Sequence, residues 1–192
     1  MQEDILQLKI SITETNPLIW RRVLVDGSVT FLELHCIIQL AMGWNNSHLF
    51  EFMDEETIIA LPYDDLADRR EAHIDASVMC LDNLFIIEEQ KMKYIYDFGD
   101  YWEHEIILEK ALPKEKGKKY PICIAGEMNC PREDSGGIQG FYEMLKVLED
   151  KNHDEHKEVA KWLGKNYNPS SFDIEKINKQ LKKVKTVLAD YF

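Results

Sequence analysis

The stretch between Thr30 and Gly43 reads Phe-Leu-Glu-Leu-His-Cys-Ile-Ile-Gln-Leu-Ala-Met, and only Glu33, His35 and Gln39 interrupt its apolar character. Thr30 with Glu33 three positions later is a capping box, so a helix opens here, and Gly43 is the residue that ends it. A helix on the surface of a globular protein buries one stripe and keeps the opposite face polar. This one has apolar residues on nearly every side and requires cover on most of them. The fold must therefore provide a layer wide enough to enclose a helix, and the flanking segments decide which kind.

Those segments read mainly as strands. Residues 6–13 alternate with period two until Asn16-Pro17 breaks the pattern, and residues 18–25 alternate again. In that second segment Leu18, Trp20, Arg22 and Leu24 share one face and Ile19, Arg21, Val23 and Val25 the other, one arginine on each. Residues 49–52 and 57–61 form a short hairpin candidate through Asp54-Glu55-Glu56, whereas residues 62–76 are acidic and irregular and residues 77–85 suit a short helix. Residues 91–97 and 101–108 make the strongest hairpin, turning at Phe98-Gly99-Asp100. Residues 121–131 contain too much glycine and proline for a regular element.

Beyond Gly136-Gly137 the period changes to that of helices. Phe141, Leu145 and Leu148 mark one apolar face, and residues 155–163 a further helix. The last segment has Ser170 and Asp173 in capping-box register, followed by Ile174, Ile177, Leu181, Val184, Leu188 and Tyr191 as an apolar stripe. Lys176, Lys179, Lys182, Lys183 and Lys185 occupy its other faces, so this amphipathic helix docks on its own domain or serves a partner. The expected fold is α+β: a mostly antiparallel sheet packed on the buried N-terminal helix, with additional helices at the C-terminal end. A single domain is expected over residues 1–192, with a core to residue 150 and a helical extension over 151–192.

Composition narrows the function classes. A formal net charge of −12 over 192 residues repels phosphate backbones, which disfavours nucleic acid on the acidic core and leaves the C-terminal lysines as the basic cluster. The N-terminus lacks a signal pattern, and no apolar run reaches the roughly 18–20 residues needed to span a bilayer, so a cytoplasmic protein without membrane contact is expected. Cys36, Cys80, Cys123 and Cys130 are scattered and read as reduced thiols. Oligomeric state has no signature.

Several constellations carry potential chemistry. The run Tyr94 to His104 crowds aromatics, carboxylates and a histidine around a glycine turn, where Asp97, Asp100 and His104 would converge on a divalent cation or relay a proton. The Asp97-Phe98-Gly99 triplet lacks the partner motifs of a kinase magnesium segment, and that reading is rejected. Cys123 and Cys130, with six residues between them, are metal candidates only with help such as His104, and packing groups otherwise. Glu133 and Asp134 precede a helix for which Asp134 or Ser135 is the expected N-cap. Trp44 to His48 follow the buried helix, and their polar groups with the indole would line a pocket. Trp20-Arg21-Arg22 is an anion clamp or, in so acidic a chain, an internally paired set.

Pro17-Leu18-Ile19-Trp20-Arg21-Arg22, Leu34-His35, Gln39 to Trp44, His48-Leu49, Tyr96 to Asp100 with Trp102 and His104, and Cys130-Pro131 with Glu133-Asp134 and Gly136-Gly137 occur in an order that resembles the plasmid pRiA4b ORF-3-like family. The resemblance implies occurrence on plasmids, in insertion elements and in chromosomes, and brings no activity with it. A resolvase role is excluded by the missing constellation of nucleophilic serine and arginines. The family's pattern has cysteine where Ser135 stands, and commonly proline in place of Arg132; serine is a poor zinc ligand, which weakens a thiol-based site.

The leading expectation is a noncatalytic binding module whose surface around Trp44, His48, Asp97, Asp100, Trp102, His104, Glu133 and Asp134 takes a protein or peptide partner. A metal-assisted hydrolase built on Asp97, Asp100 and His104, with Glu133 and Asp134, is the alternative, with a divalent metal as its cofactor. A DNA-transaction accessory acting through the C-terminal lysines is the third.

Overall fold

The computed structural model describes residues 4–62, 73–164 and 167–192. The enclosed helix, α1 (Phe31–Met42), has ten of its twelve residues buried, which makes it the centre of the core. Its ends are those its sequence requires: the Thr30 hydroxyl accepts the Glu33 N–H at 3.2 Å, and Gly43 closes the helix at φ +86°.

The cover is one mixed sheet. Its strands are β1 (Asp4–Ile12), β2 (Ile19–Asp26), β3 (Phe50–Met53), β4 (Ile58–Ala60), β5 (His73–Asp75), β6 (Lys91–Tyr96), β7 (Trp102–Pro113) and β8 (Ile122–Glu127). They lie in the order β5-β4-β3-β6-β7-β1-β2-β8, antiparallel throughout except for the parallel β4–β5 pair. Alternation along β7 buries Trp102, His104, Ile106 and Leu108, while Glu103 and Glu105 face outward to ion-pair with Lys93 and Lys91. One face thus packs on α1 and the other is solvated, and the α+β architecture is as expected.

Four segments depart from the sequence reading. Residues 122–127, expected to be irregular, form β8; an edge strand needs a partner on one side only, and a register shift between Arg22 and Val23 accommodates the irregular segment. Its free edge is covered by Asn178, whose amide accepts the Cys123 N–H at 2.8 Å and donates to the Cys123 carbonyl at 2.9 Å. Residues 77–85 hold only a single 3-10 turn, Leu81–Asn83. The acidic stretch 62–76 contains β5 at its end, a three-residue strand too short to show a period, and its residues 63–72 lie outside the described residues.

The C-terminal half supplies α2 (Gly137–Glu149) and α3 (His156–Leu163), then α4 (Ile174–Leu181) and α5 (Val184–Ala189) in place of one continuous helix. Asp173, not Ser170, caps α4 by accepting the Lys176 N–H at 2.9 Å. The bend at Lys182 and Lys183 lets both short helices pack on α1, with Leu181 and Val184 buried on either side of it. The apolar stripe is therefore used internally, and the five lysines point outward.

Candidate metal centre

Three loops meet at one end of the sheet. The β6–β7 turn is tight: Asp97 sits at φ +59° and Tyr101 at φ +54°, backbone conformations that cost a non-glycine residue energy. Asp97 Oδ1 accepts the Gly99 N–H at 2.9 Å, and the Asp97 N–H donates to the Leu49 carbonyl at 2.9 Å. One carboxylate oxygen is thereby committed to the turn, and Oδ2 remains.

The second loop leaves α1. Trp44 is buried and its indole N–H donates to the Pro131 carbonyl at 2.9 Å, tying this loop to the third, residues 130–136. Asn46, at φ +63°, donates its N–H to Gln39 Oε1 at 3.1 Å, and the next two residues bring His48 over the turn. In the third loop Asp134 takes φ +60°.

His48 Nε2 then lies 3.5 Å from Asp97 Oδ2 and 3.2 Å from Asp134 Oδ1. Neither contact has hydrogen-bond geometry, and Nε2 is shielded from solvent with no hydrogen-bond partner. The three ligand atoms lie within 4.8 Å of one another, and they are the one such group of histidine, cysteine and carboxylate side chains among the described residues. Asp97 is buried, His48 half-buried, and Asp134 exposed, so the group spans from floor to rim. It opens on a cleft of about 630 Å³ whose walls are residues 45–49, residues 97–99, and Val187, Asp190 and Tyr191 from the C-terminal segment.

The other sequence candidates have different work. Asp100 accepts the Gly136 N–H at 3.0 Å and so caps α2 from outside; neither Asp134 nor Ser135 does. That contact explains Gly137, because a Cβ there would collide with the Asp100 carbonyl oxygen and would stand at φ +67°. Glu133 is buried with both oxygens engaged, one by the Tyr96 hydroxyl and one by the Asn45 N–H. Trp102 and His104 are fully buried beneath the site. His104 Nδ1 faces the Trp102 carbonyl at 2.9 Å, and burial pulls its pKa down to about 4, so the ring is neutral.

The thiols do not join His104. Cys130 lies 3.2 Å from the Arg21 guanidinium and 3.2 Å from Met42 Sδ, and burial pushes its thiol up. Cys123 is buried in β8, and burial raises its thiol as well. Arg22 pairs with Glu109 at 2.5 and 2.7 Å, whereas the buried Arg21 spends its donors on the carbonyls of Trp20, Ala41 and Glu127 and on Cys130. No anion clamp results.

Sequence reasoning placed His48, Asp97 and Asp134 on one candidate surface with five other residues and did not single them out as a ligand set. They come from three loops 49 and 37 residues apart in sequence, and no spacing motif encodes that meeting. Tyr96, which ties two of the loops together, was missed because a tyrosine on an inward strand face reads as core.

The sequence profile of the plasmid pRiA4b ORF-3-like protein family matches residues 4–176. This chain belongs to that family. A member from Sinorhizobium fredii, the uncharacterized protein y4hQ, is 34% identical over 183 residues, covering 93% of this chain and 91% of its own length. The crystal structure of MM3350, a protein of unknown function from Methanosarcina mazei Go1, shares the fold at a TM-score of 0.83 and 38% identity, over 91% of this chain and 98% of that one. The cleft wall supplied by Val187, Asp190 and Tyr191 lies beyond the residues that the family profile matches. No helix among the described residues is long and apolar enough to cross a membrane.

Proposed function

We propose that this family member is a metal-assisted hydrolase whose divalent cation is held by His48 Nε2, Asp97 Oδ2 and Asp134 Oδ1. The observation that carries the reading is the unpartnered, solvent-shielded His48 nitrogen aimed between two carboxylates from separate loops. A structural ion closes its coordination with four protein ligands, whereas three leave positions for water and a substrate atom, the arrangement of catalytic sites. One imidazole with two carboxylates is a mixed, oxygen-rich set that suits manganese, iron(II) or zinc rather than copper(I).

The cleft limits what arrives there. Among the described residues its walls carry Asp97 and Asp190 and no lysine or arginine, so a neutral or cationic substrate is favoured over a polyphosphate. A peptide-docking surface ranks below this reading because Trp44 and Trp102, the two indoles expected on it, are core residues.

The test is elemental mass spectrometry on tag-free protein, with His48→Ala, Asp97→Asn and Cys130→Ala compared in folded form. Near-stoichiometric metal in the wild type and in Cys130→Ala, lost from the other two, is the expected result. A wild type free of metal after growth and dialysis with manganese and zinc sinks the proposal.

A further inference from the structure

We infer that Tyr96 and Glu133 are positioning residues for the ion: they set the two loops that present His48 and Asp134 without giving it a ligand atom. The inference rests on the ion reading above. The Tyr96 hydroxyl donates to Glu133 and accepts the Ser47 N–H at 2.9 Å. The other Glu133 oxygen accepts the Asn45 N–H at 2.8 Å. The backbone N–H groups of Asn45 and Ser47, on the loop that presents His48, therefore hang on this one pair, and Glu133 is covalently next to Asp134. The Tyr96 ring also stacks on Trp44 at 5.1 Å and meets the His48 ring edge-on at 5.8 Å.

A loop tie by itself does not call for a carboxylate. Glu133 is only 8% exposed, and its partners are neutral donors, so its charge carries a desolvation cost that glutamine would avoid. Two gains offset that cost once a cation is present. The carboxylate polarises the Tyr96 hydroxyl and makes its oxygen a stronger acceptor for the Ser47 N–H. It also places a further negative charge close behind the ligands, as partners of metal-bound side chains commonly do. Both Glu133 oxygens are engaged, which keeps it from serving as ligand or general base.

The experiment uses Co²⁺ as probe on the full chain, reading affinity by titration calorimetry and ligand geometry from the visible absorption bands. Tyr96→Phe and Glu133→Gln are compared with the wild type and with Ile10→Val, a fully buried β1 change that loosens the core far from these loops. The expected result is roughly 10- to 100-fold weaker binding with shifted bands in the first two, and wild-type values in Ile10→Val. Wild-type affinity and bands in both site variants overturn the positioning role and leave the ion reading standing. A wild type that binds no Co²⁺ overturns the ion reading, and the positioning role with it. Should Tyr96→Phe fail to fold, Glu133→Gln decides alone, since glutamine retains an acceptor for the tyrosine.

Discussion

Two histidines, one inside α1 and one in the loop that follows it, differ in everything except residue type. His35 is fully buried, stacked on Phe50 at 3.7 Å, and hydrogen-bonded through both nitrogens. The Gln39 amide donates to the Tyr94 hydroxyl at 3.0 Å, and Tyr94 donates to His35 Nδ1 at 2.8 Å. Nε2–H is thereby assigned as donor to Asn46 Oδ1, which also accepts the Tyr191 hydroxyl at 2.7 Å. His48 has an open nitrogen among carboxylates and no hydrogen bond to it. Strand β6 serves both regions: Tyr94 points its hydroxyl into the closed network, and Tyr96, two residues on, points its own toward the open one. The difference separates polar groups that specify a core from polar groups held ready for something else.

The sharpest way to break this comparison is to remove His35. His35→Ala leaves a cavity beside Phe50 and strands the Tyr94, Asn46 and Tyr191 groups, at a cost of about 3–5 kcal/mol. Urea unfolding measures that loss, and metal content per folded molecule should stay at the wild-type level. Loss of metal from a still-folded His35→Ala protein would mean that the two regions are one site.

The same contrast explains how much the sequence disclosed. The α1 boundaries, the β6–β7 hairpin and the α+β class were legible because capping, period and burial agreed at each of them. Strand β8 was not, because its pairing with β2 is made by backbone groups that leave no side-chain period. At the site, Asp97 and the His48 segment stood out by composition, but composition also promoted Asp100 and His104. Turn chemistry fixed one as a cap and strand alternation buried the other. Which acidic residue meets which histidine depends on loops crossing from distant parts of the chain, and local patterns contain no record of that.

Acid should expose the closed region first. Burial pulls His35 down to about 3 and His104 down to about 4, whereas both titrate near 6.5 when unfolded. Between those values the unfolded chain binds protons that the native state refuses. Their contribution is therefore complete above pH 6.5 and is lost as pH falls, by up to about 1.4 kcal/mol per pH unit for each ring. Glu33, whose carboxyl burial raises, works weakly in the opposite direction. Urea midpoints at fixed salt on metal-free protein, followed from pH 7.5 to 4.5, should decline accordingly. A flat series would show that these rings accept protons while folded.

A smaller effect is expected at the boundary between the regions. Asp100→Ala removes the acceptor for the Gly136 N–H at the start of α2 and should cost about 0.5–2 kcal/mol, the usual range for a lost cap. Metal content should not change, because Asp100 is outside the group formed by His48, Asp97 and Asp134. A folded Asp100→Ala protein without metal would restore Asp100 to the ligand set.

The smallest stability change belongs to His48→Ala in metal-free protein, and it decides between two accounts of the same contacts. If a protonated His48 serves as a structural bridge between Asp97 and Asp134, its removal leaves two carboxylate oxygens within 4.8 Å of each other with nothing between them. Repulsion would then add to the lost pairing. If the group instead awaits a cation, the repulsion is already part of the metal-free protein, and the half-exposed imidazole contributes little, within about 1 kcal/mol as for other solvent-screened pairs. Added Mn²⁺ should then raise the urea midpoint of the wild type and leave that of His48→Ala unmoved, since an ion that binds only the native state stabilises it by mass action. A metal-free His48→Ala protein destabilised by well over 1 kcal/mol, with no response to Mn²⁺ in either protein, would make His48 as structural as His35 and remove the distinction between the two regions.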